Sequence, residues 1–268
     1  MPDSISTLPV EASNPVTRLT IGSEEHKQRF CRMLLDTFDA YKPTVIAWPK
    51  LNDDALRRLT GLPFWDIAVQ TEGYASRRVQ ALADTCADPL LKSAVQLNAF
   101  EEGRHKLVLE HMIRFYGIKL QPEPLYQAPR DAEWAFIRTG YGECFDSFFA
   151  FGLFRMARDS GFFPPALVDV FEPVVQEEGR HIIFFVNWVA WTARQKSFLG
   201  ACWFRTRCLA ALAISAWGRM ALAGAAGETG TLGSSGSLRG AVPAPQPPPN
   251  TQAARRNRKV QRHRMPVR

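Results

Sequence analysis

The chain reads as all-α, and three observations say so. No stretch alternates apolar and polar residues as a strand would. The pentapeptide Glu101-Glu102-Gly103-Arg104-His105 returns unchanged at Glu177-Glu178-Gly179-Arg180-His181. In each copy a Glu and a His stand three residues apart, Glu102 with His105 and Glu178 with His181, which puts both on one helix face about one turn apart. Finally, a further glutamate precedes each copy, Glu72 the first and Glu143 the second, with a turn signal midway to it.

Taken in order, residues 1–21 carry Pro, Ser and Thr without periodicity and read as a flexible arm. An N-terminal helical extension is expected over 22–62. Its first helix is capped at Ser23, carries Glu24 and Glu25 where the helix dipole favours them, and runs through Phe30, Met33, Leu34 and Phe38 to about Tyr41, where Pro43 ends it. A short helix follows near Asp53 to Leu59, and Gly61-Leu62-Pro63 restarts the chain.

Four long helices are expected over 63–194. The first runs from about Pro63 to Thr85. The second runs from Pro89, capped by Asp88, to Tyr116, with Gly117 as its stop. A long Pro-containing connection over Gly117 to Arg138 lets the bundle change direction. The third helix is expected from about Gly140 to Arg158, and the fourth from Pro164 to about Arg194.

Two apposed half-sites follow from this layout. The midpoint between Glu72 and Glu102 is Ala87, inside Cys86-Ala87-Asp88-Pro89. The midpoint between Glu143 and Glu178 falls between Ser160 and Gly161, inside Asp159-Ser160-Gly161-Phe162-Phe163-Pro164-Pro165. Both are helix stops followed by helix starts. In antiparallel helices rising about 1.5 Å per residue, each lone glutamate comes level with its partner Glu-x-x-His. A helical bundle that carries two metal ions in its core needs this inventory: two Glu-x-x-His helices and one Glu from each of two others.

Residues 195–227 form an apolar, Ala-rich C-terminal helix interrupted by Arg205, Arg207 and Arg219. It is expected to pack on the bundle, with contact to a membrane surface or a second copy through 199–226 and a membrane span as further readings. Residues 228–268 are Pro, Gly, Ser and Arg rich and read as a disordered basic tail.

The formal net charge of +7 is concentrated there. Eight basic residues follow Gly227 against Glu228 alone, which leaves 25 basic and 25 acidic residues in 1–226. The pI of about 9.4 therefore describes a tail and does not argue for nucleic acid as a partner. Five cysteines, odd in number and without Cys-x-x-Cys, with no secretory signal at the N-terminus, make a disulfide framework unexpected and a cytoplasmic location, with peripheral membrane association as an addition, the natural one.

Four carboxylates and two divalent ions balance in charge, so a filled site can be buried where an empty one would crowd like charges. Imidazole with carboxylate suits iron, and manganese or zinc are the other candidates. Glu101 with His105 is also a usable i, i+4 pair, so spacing leaves open which acid of each adjacent pair binds. Glu and Arg at helical spacing often form only a solvated salt-bridged face. The repeat, the partner glutamates and the apolar flanks Leu97, Phe100, Leu107, Val174, Val175 and Ile182 argue instead for buried helices.

The order Glu, Glu-x-x-His, Glu, Glu-x-x-His on four helices resembles the ferritin-like superfamily of carboxylate-bridged di-iron proteins, over about 63–194. An acidic residue just before the ligand Glu, followed by x-Arg-His, is similar to acyl carrier protein desaturases and bacterial multicomponent monooxygenases. The resemblance implies a ferritin-like four-helix bundle with two iron ions held by Glu72, Glu102, His105, Glu143, Glu178 and His181. It also implies that Glu101 supports His181, that Glu177 supports His105, and that Arg104 and Arg180 balance these acids.

The aromatic run Phe148, Phe149, Phe151 and Phe154 is expected to face Phe184, Phe185 and Trp188, as core or as pocket lining. Tyr74 and Tyr141, each two residues from a candidate ligand, read as structural before redox-active, and Cys144 as small core. The function expected is an O2-activating di-iron oxidase or oxygenase acting on a small apolar substrate, with an electron donor that the residues leave unnamed. A ferritin-like ferroxidase or iron store, and a structural bundle without catalysis, are the alternatives.

Overall fold

The computed structural model describes residues 19–232, apart from the side chains of Phe149 and of 221–232. Most of the expected N-terminal arm and of the basic tail lies outside the described residues. The chain divides into two units, Met1–Ala221 and Leu222–Arg268, and the account below concerns the first. Among the described residues all regular structure is helical: α1 (Glu24–Asp36), α2 (Asp53–Thr60), α3 (Trp65–Thr85), α4 (Pro89–Tyr116), α5 (Ala132–Ser160), α6 (Pro165–Val170), α7 (Glu172–Gln195) and α8 (Phe198–Leu232), with a 3-10 turn at Pro43–Val45.

Local chemistry places most helix ends. Ser23, Asn52, Asp88 and Asp131 each accept a backbone N–H from their own helix's first turn. Gly117 and Gly161 close α4 and α5 in the left-handed conformation that glycine adopts without steric cost.

Three boundaries differ from the sequence reading. α1 stops at Asp36 rather than near Tyr41, because its last carbonyls have other donors: the Thr37 hydroxyl donates to Met33 O, and Arg180 donates to Leu34 O and Thr37 O. α5 begins at Ala132, ahead of the expected Gly140, because Asp131 caps it and Glu133 in its first turn pairs with Lys196 and Arg207. Gly140 is thus mid-helix, where a Cβ would stand 2.2 Å from the Phe185 ring, so its role is to let α5 approach α7. The expected fourth helix is two helices. Pro173 has no N–H to offer Asp169 O, and the chain turns at Phe171 between α6 and α7.

α3 packs against α4 and α5, α7 packs against α5 and α4, and α1 lies over α4 and α7. Two apolar clusters fill this arrangement. One contains Phe30, Leu34, Val79, Val95, Phe136, Ile137, Phe184 and Trp188, and the other Trp48, Leu59, Trp65, Val69, Val108, Met112 and Leu167. α3 passes from one cluster to the other between Val69 and Val79, α4 between Ala99 and Val108, and α7 between Val174 and Phe184. The repeated motif therefore lies at the belt between two dry cores.

Within the first unit, α8 buries Phe204, Cys208 and Ala211, and its Arg207 pairs with Asp131 and Glu133. Its other face leaves Trp203, Leu209, Trp217 and Met220 exposed. The stretch Phe198–Met220 is long and apolar enough to cross a membrane by length and composition.

Candidate metal centre

Six of the motif's charged residues are buried, while two of the expected apolar flanks are exposed. Glu101, Glu102, Arg104, His105, Glu177 and His181 are all 3% exposed or less, whereas Phe100 and Leu107, expected to flank them inside, are 57% and 51% exposed. Buried charge must be paired. Here the two copies pair each other.

Glu177 Oε2 stands 2.8 Å from His105 Nε2, and Glu101 Oε2 stands 2.8 Å from His181 Nε2. Arg104 Nη2 donates to Glu177 Oε1 at 2.6 Å, and Arg180 Nη2 donates to Glu101 Oε1 at 2.8 Å. Each acid thus serves the opposite helix, and the layer of two carboxylates and two guanidiniums is neutral by itself. The arginines then reach outward. Arg104 Nη1 donates to Asp39 O at 2.7 Å, and Arg180 Nη1 donates to Thr37 O at 2.9 Å, so both clasp the end of α1 and the segment beyond it.

An ionised carboxylate only accepts, so the Nε2 atoms carry the ring protons and the Nδ1 lone pairs face inward. There His181 Nδ1 lies 2.8 Å from Glu102 Oε1, and His105 Nδ1 lies 3.0 Å from Glu178 Oε1 and 3.7 Å from Glu72 Oε2. Both Nδ1 atoms, Glu102 Oε1 and Glu143 Oε1 are buried without a hydrogen-bond partner. The ligand atoms of Glu102, His105, Glu178 and His181 lie within 4.8 Å of one another. These two carboxylates and two imidazoles form a group that could hold a metal ion.

Without a cation the cluster must take protons instead. Burial opposes charge on both histidines, but the carboxylates outweigh it: Glu177, Glu178 and Glu72 hold His105 well above its ordinary range, and Glu102 and Glu101 raise His181 to about 10. Burial pushes Glu72 up to about 8 against the pull of His105, and burial with repulsion from Glu102 and Glu178 pushes Glu143 well above the carboxylate range.

Glu72 on α3 and Glu143 on α5 lie beside that group of four and not within it. Together with Glu102 and Glu178 they line one part of a cavity of about 720 Å³ whose other walls are mostly apolar, including Leu59, Phe151, Phe154, Leu167 and Val174. The expected apposition of two aromatic runs is not what is found. Phe184, Phe185 and Trp188 pack in the core with Phe30, Phe136 and Phe204, because they lie beyond the site on α7, while Phe151 and Phe154 line the cavity. The side chain of Phe149 lies outside the described residues.

Tyr74 packs edge-on against Tyr126, and Tyr141 against Phe185. Two residues along a helix is about 200° of rotation, so each turns away from its neighbouring glutamate.

Two participants had escaped the sequence reading. The Tyr41 hydroxyl lies 3.3 Å from Glu177 Oε2, its ring sits 4.0 Å below the Arg104 guanidinium, and burial pushes its phenol up to about 12. It comes from an irregular segment with no periodic signal. Ser147 lies 3.3 Å from Glu178 Oε2 and stands one turn beyond Glu143 on α5, a spacing that could have found it.

Set beside family models, curated proteins and solved structures, the chain matches none of them.

Proposed function

We propose that this chain is a di-iron oxidoreductase of ferritin-like architecture that activates O2 to oxidise or oxygenate an apolar organic substrate. The observation that carries this reading is the apolar cavity of about 720 Å³ lined also by Glu72, Glu102, Glu143 and Glu178. Its size is that of a site for a small organic molecule, and four of its carboxylates stand together in one part of the wall.

The residues fit the metal pair. Glu72, Glu102, His105, Glu143, Glu178 and His181 would hold it, and atoms of four of them, Glu102, His105, Glu143 and His181, are buried without a hydrogen-bond partner. Four carboxylates neutralise two divalent ions, which makes burial tolerable. Iron bound there would supply the electrons that reduce O2.

The protein's own groups do the rest. Glu101 and Glu177 hold the Nε2 protons, which fixes each ring's tautomer and turns Nδ1 inward. Arg104 and Arg180 pair with those acids and tie the belt to the end of α1. Ser147 beside Glu178 Oε2 restrains that carboxylate. The apolar walls hold the substrate and keep water from the centre. An iron store would need an acid-lined route for hydrated ions, and the approach to these glutamates through the larger cavity is mostly apolar instead.

The experiment is metal analysis of the purified chain, followed by single-turnover O2 consumption of the ferrous protein with and without apolar substrates. Consumption accelerated by substrate, at two irons per chain, is the expected result. Many irons per chain, mineralised in proportion to O2 used within a large spherical assembly, would establish the store instead.

A further inference from the structure

A second cavity, about 320 Å³, abuts the first, and Thr71, Ala75, Glu143 and Asp146 line both. These four residues are the partition between them. The two spaces are chemical opposites. Where the larger is apolar, the smaller is lined by three arginines, Arg78 on α3, Arg138 on α5 and Arg219 on α8.

The cations are not all spoken for. Arg219 pairs with Asp146. Arg78 and Arg138 have only ring contacts, with Tyr74 at 5.2 Å and Trp134 at 5.9 Å, and no carboxylate among the described residues pairs with either. Arg138 Nε is buried without an acceptor, and so is the hydroxyl of Thr139, a residue 7% exposed that also lines this cavity. Arg78 is held below its ordinary range by burial and by repulsion from Arg138. Two partly buried guanidiniums beside an unsatisfied hydroxyl favour a bound anion.

We propose that the smaller cavity binds the anionic head of the substrate, a carboxylate or phosphate, while the apolar remainder of the same molecule occupies the larger cavity beyond Glu143. Guanidinium forks match both head groups bidentately. Anchoring the head on one side of the partition sets which atom of the chain stands opposite Glu72, Glu102, Glu143 and Glu178, which is how a long, featureless substrate is positioned. This inference rests on the larger cavity being the substrate site.

The test is calorimetric titration of the full chain with laurate, lauryl phosphate, lauryl alcohol and inorganic phosphate, with metal content measured on the same samples. Laurate and lauryl phosphate are expected to bind about tenfold or more tighter than the alcohol, the worth of one charge-assisted hydrogen bond. Arg138→Met should remove that preference and leave alcohol binding unchanged, and Arg138→Lys should keep part of it. Equal binding of acid and alcohol to the unaltered chain would overturn the proposal without needing any variant. Inorganic phosphate competing as well as lauryl phosphate would overturn the amphiphile assignment and leave a small-anion site. Metal present with no preference for the anion sinks this inference alone, and anion preference in a chain that cannot bind metal sinks the oxidoreductase reading alone.

Discussion

Nδ1 of His181 stands 2.8 Å from Oε1 of Glu102, a hydrogen-bond distance that only a doubly protonated ring can use. A neutral ring's one proton is committed to Glu101 on the other side. Two lone pairs at that distance repel, and either a cation or a second proton must relieve them.

Cation and proton therefore compete, and the first prediction follows from that. In the metal-free chain His181 is raised to about 10 and Glu72 to about 8, so near neutral pH both hold protons that a metal ion must displace. Metal affinity should rise with pH, uptake should release protons, and acid should strip the ion. Competition titrations across pH with a chelator, and proton release into weakly buffered solution, measure this. Affinity that does not change with pH would contradict it.

Removing inward donors should empty the site. Glu102→Ala and His181→Ala are each expected to lower metal content sharply, by elemental analysis of folded protein. Full content in both variants would withdraw these residues as ligands.

The outer layer makes a stability prediction. Arg104→Met leaves the buried Glu177 carboxylate with only the more distant Arg180 guanidinium at 3.7 Å, and should destabilise the fold by about 3 kcal/mol. Adding Glu177→Gln removes the poorly compensated charge and should recover part of the loss. Urea denaturation of both variants decides it, and a double variant less stable than the single one would show that the pair is not acting through charge balance.

Close approach of α5 and α7 is tested at Gly140. A methyl there meets the buried Phe185 ring at 2.2 Å, so Gly140→Ala should cost about 1–3 kcal/mol although alanine is the better helix former. A stabilised variant in thermal melts would place the two helices farther apart than described.

The cap of α4 carries a pH dependence. Asp88 accepts from Leu91 N at 2.8 Å and pairs with Lys27, and these contacts hold its carboxyl below its ordinary value. A group depressed in the folded state stabilises above its unfolded pKa and loses that contribution as pH falls through the folded one. Asp88→Ala should therefore cost about 1 kcal/mol at neutral pH and progressively less in acid. Equal losses at both extremes would assign the effect to packing.

The sequence by itself determined much of this molecule. The repeated motif marked Glu102, His105, Glu178 and His181, whose ligand atoms lie within 4.8 Å of one another, and the Asp88, Pro89 and Gly117 signals placed α4 to the residue. These are short-range effects: helical periodicity, an N-cap and a left-handed glycine act within a few residues.

Tertiary structure decided what depends on distant partners. Spacing allowed either acid of each adjacent pair to face its histidine's inner nitrogen. The crossing of α4 and α7 put Glu101 and Glu177 on Nε2 and turned Glu102 and Glu178 toward Nδ1. Likewise α1 ends early because Arg180, far along the chain, takes its last carbonyls, and Tyr41 joins the belt from an irregular segment. The two cavities are spaces between helices, with no residues of their own to leave a pattern. A hydrogen bond between distant positions depends on where packing brings the donor, and no local signal records that.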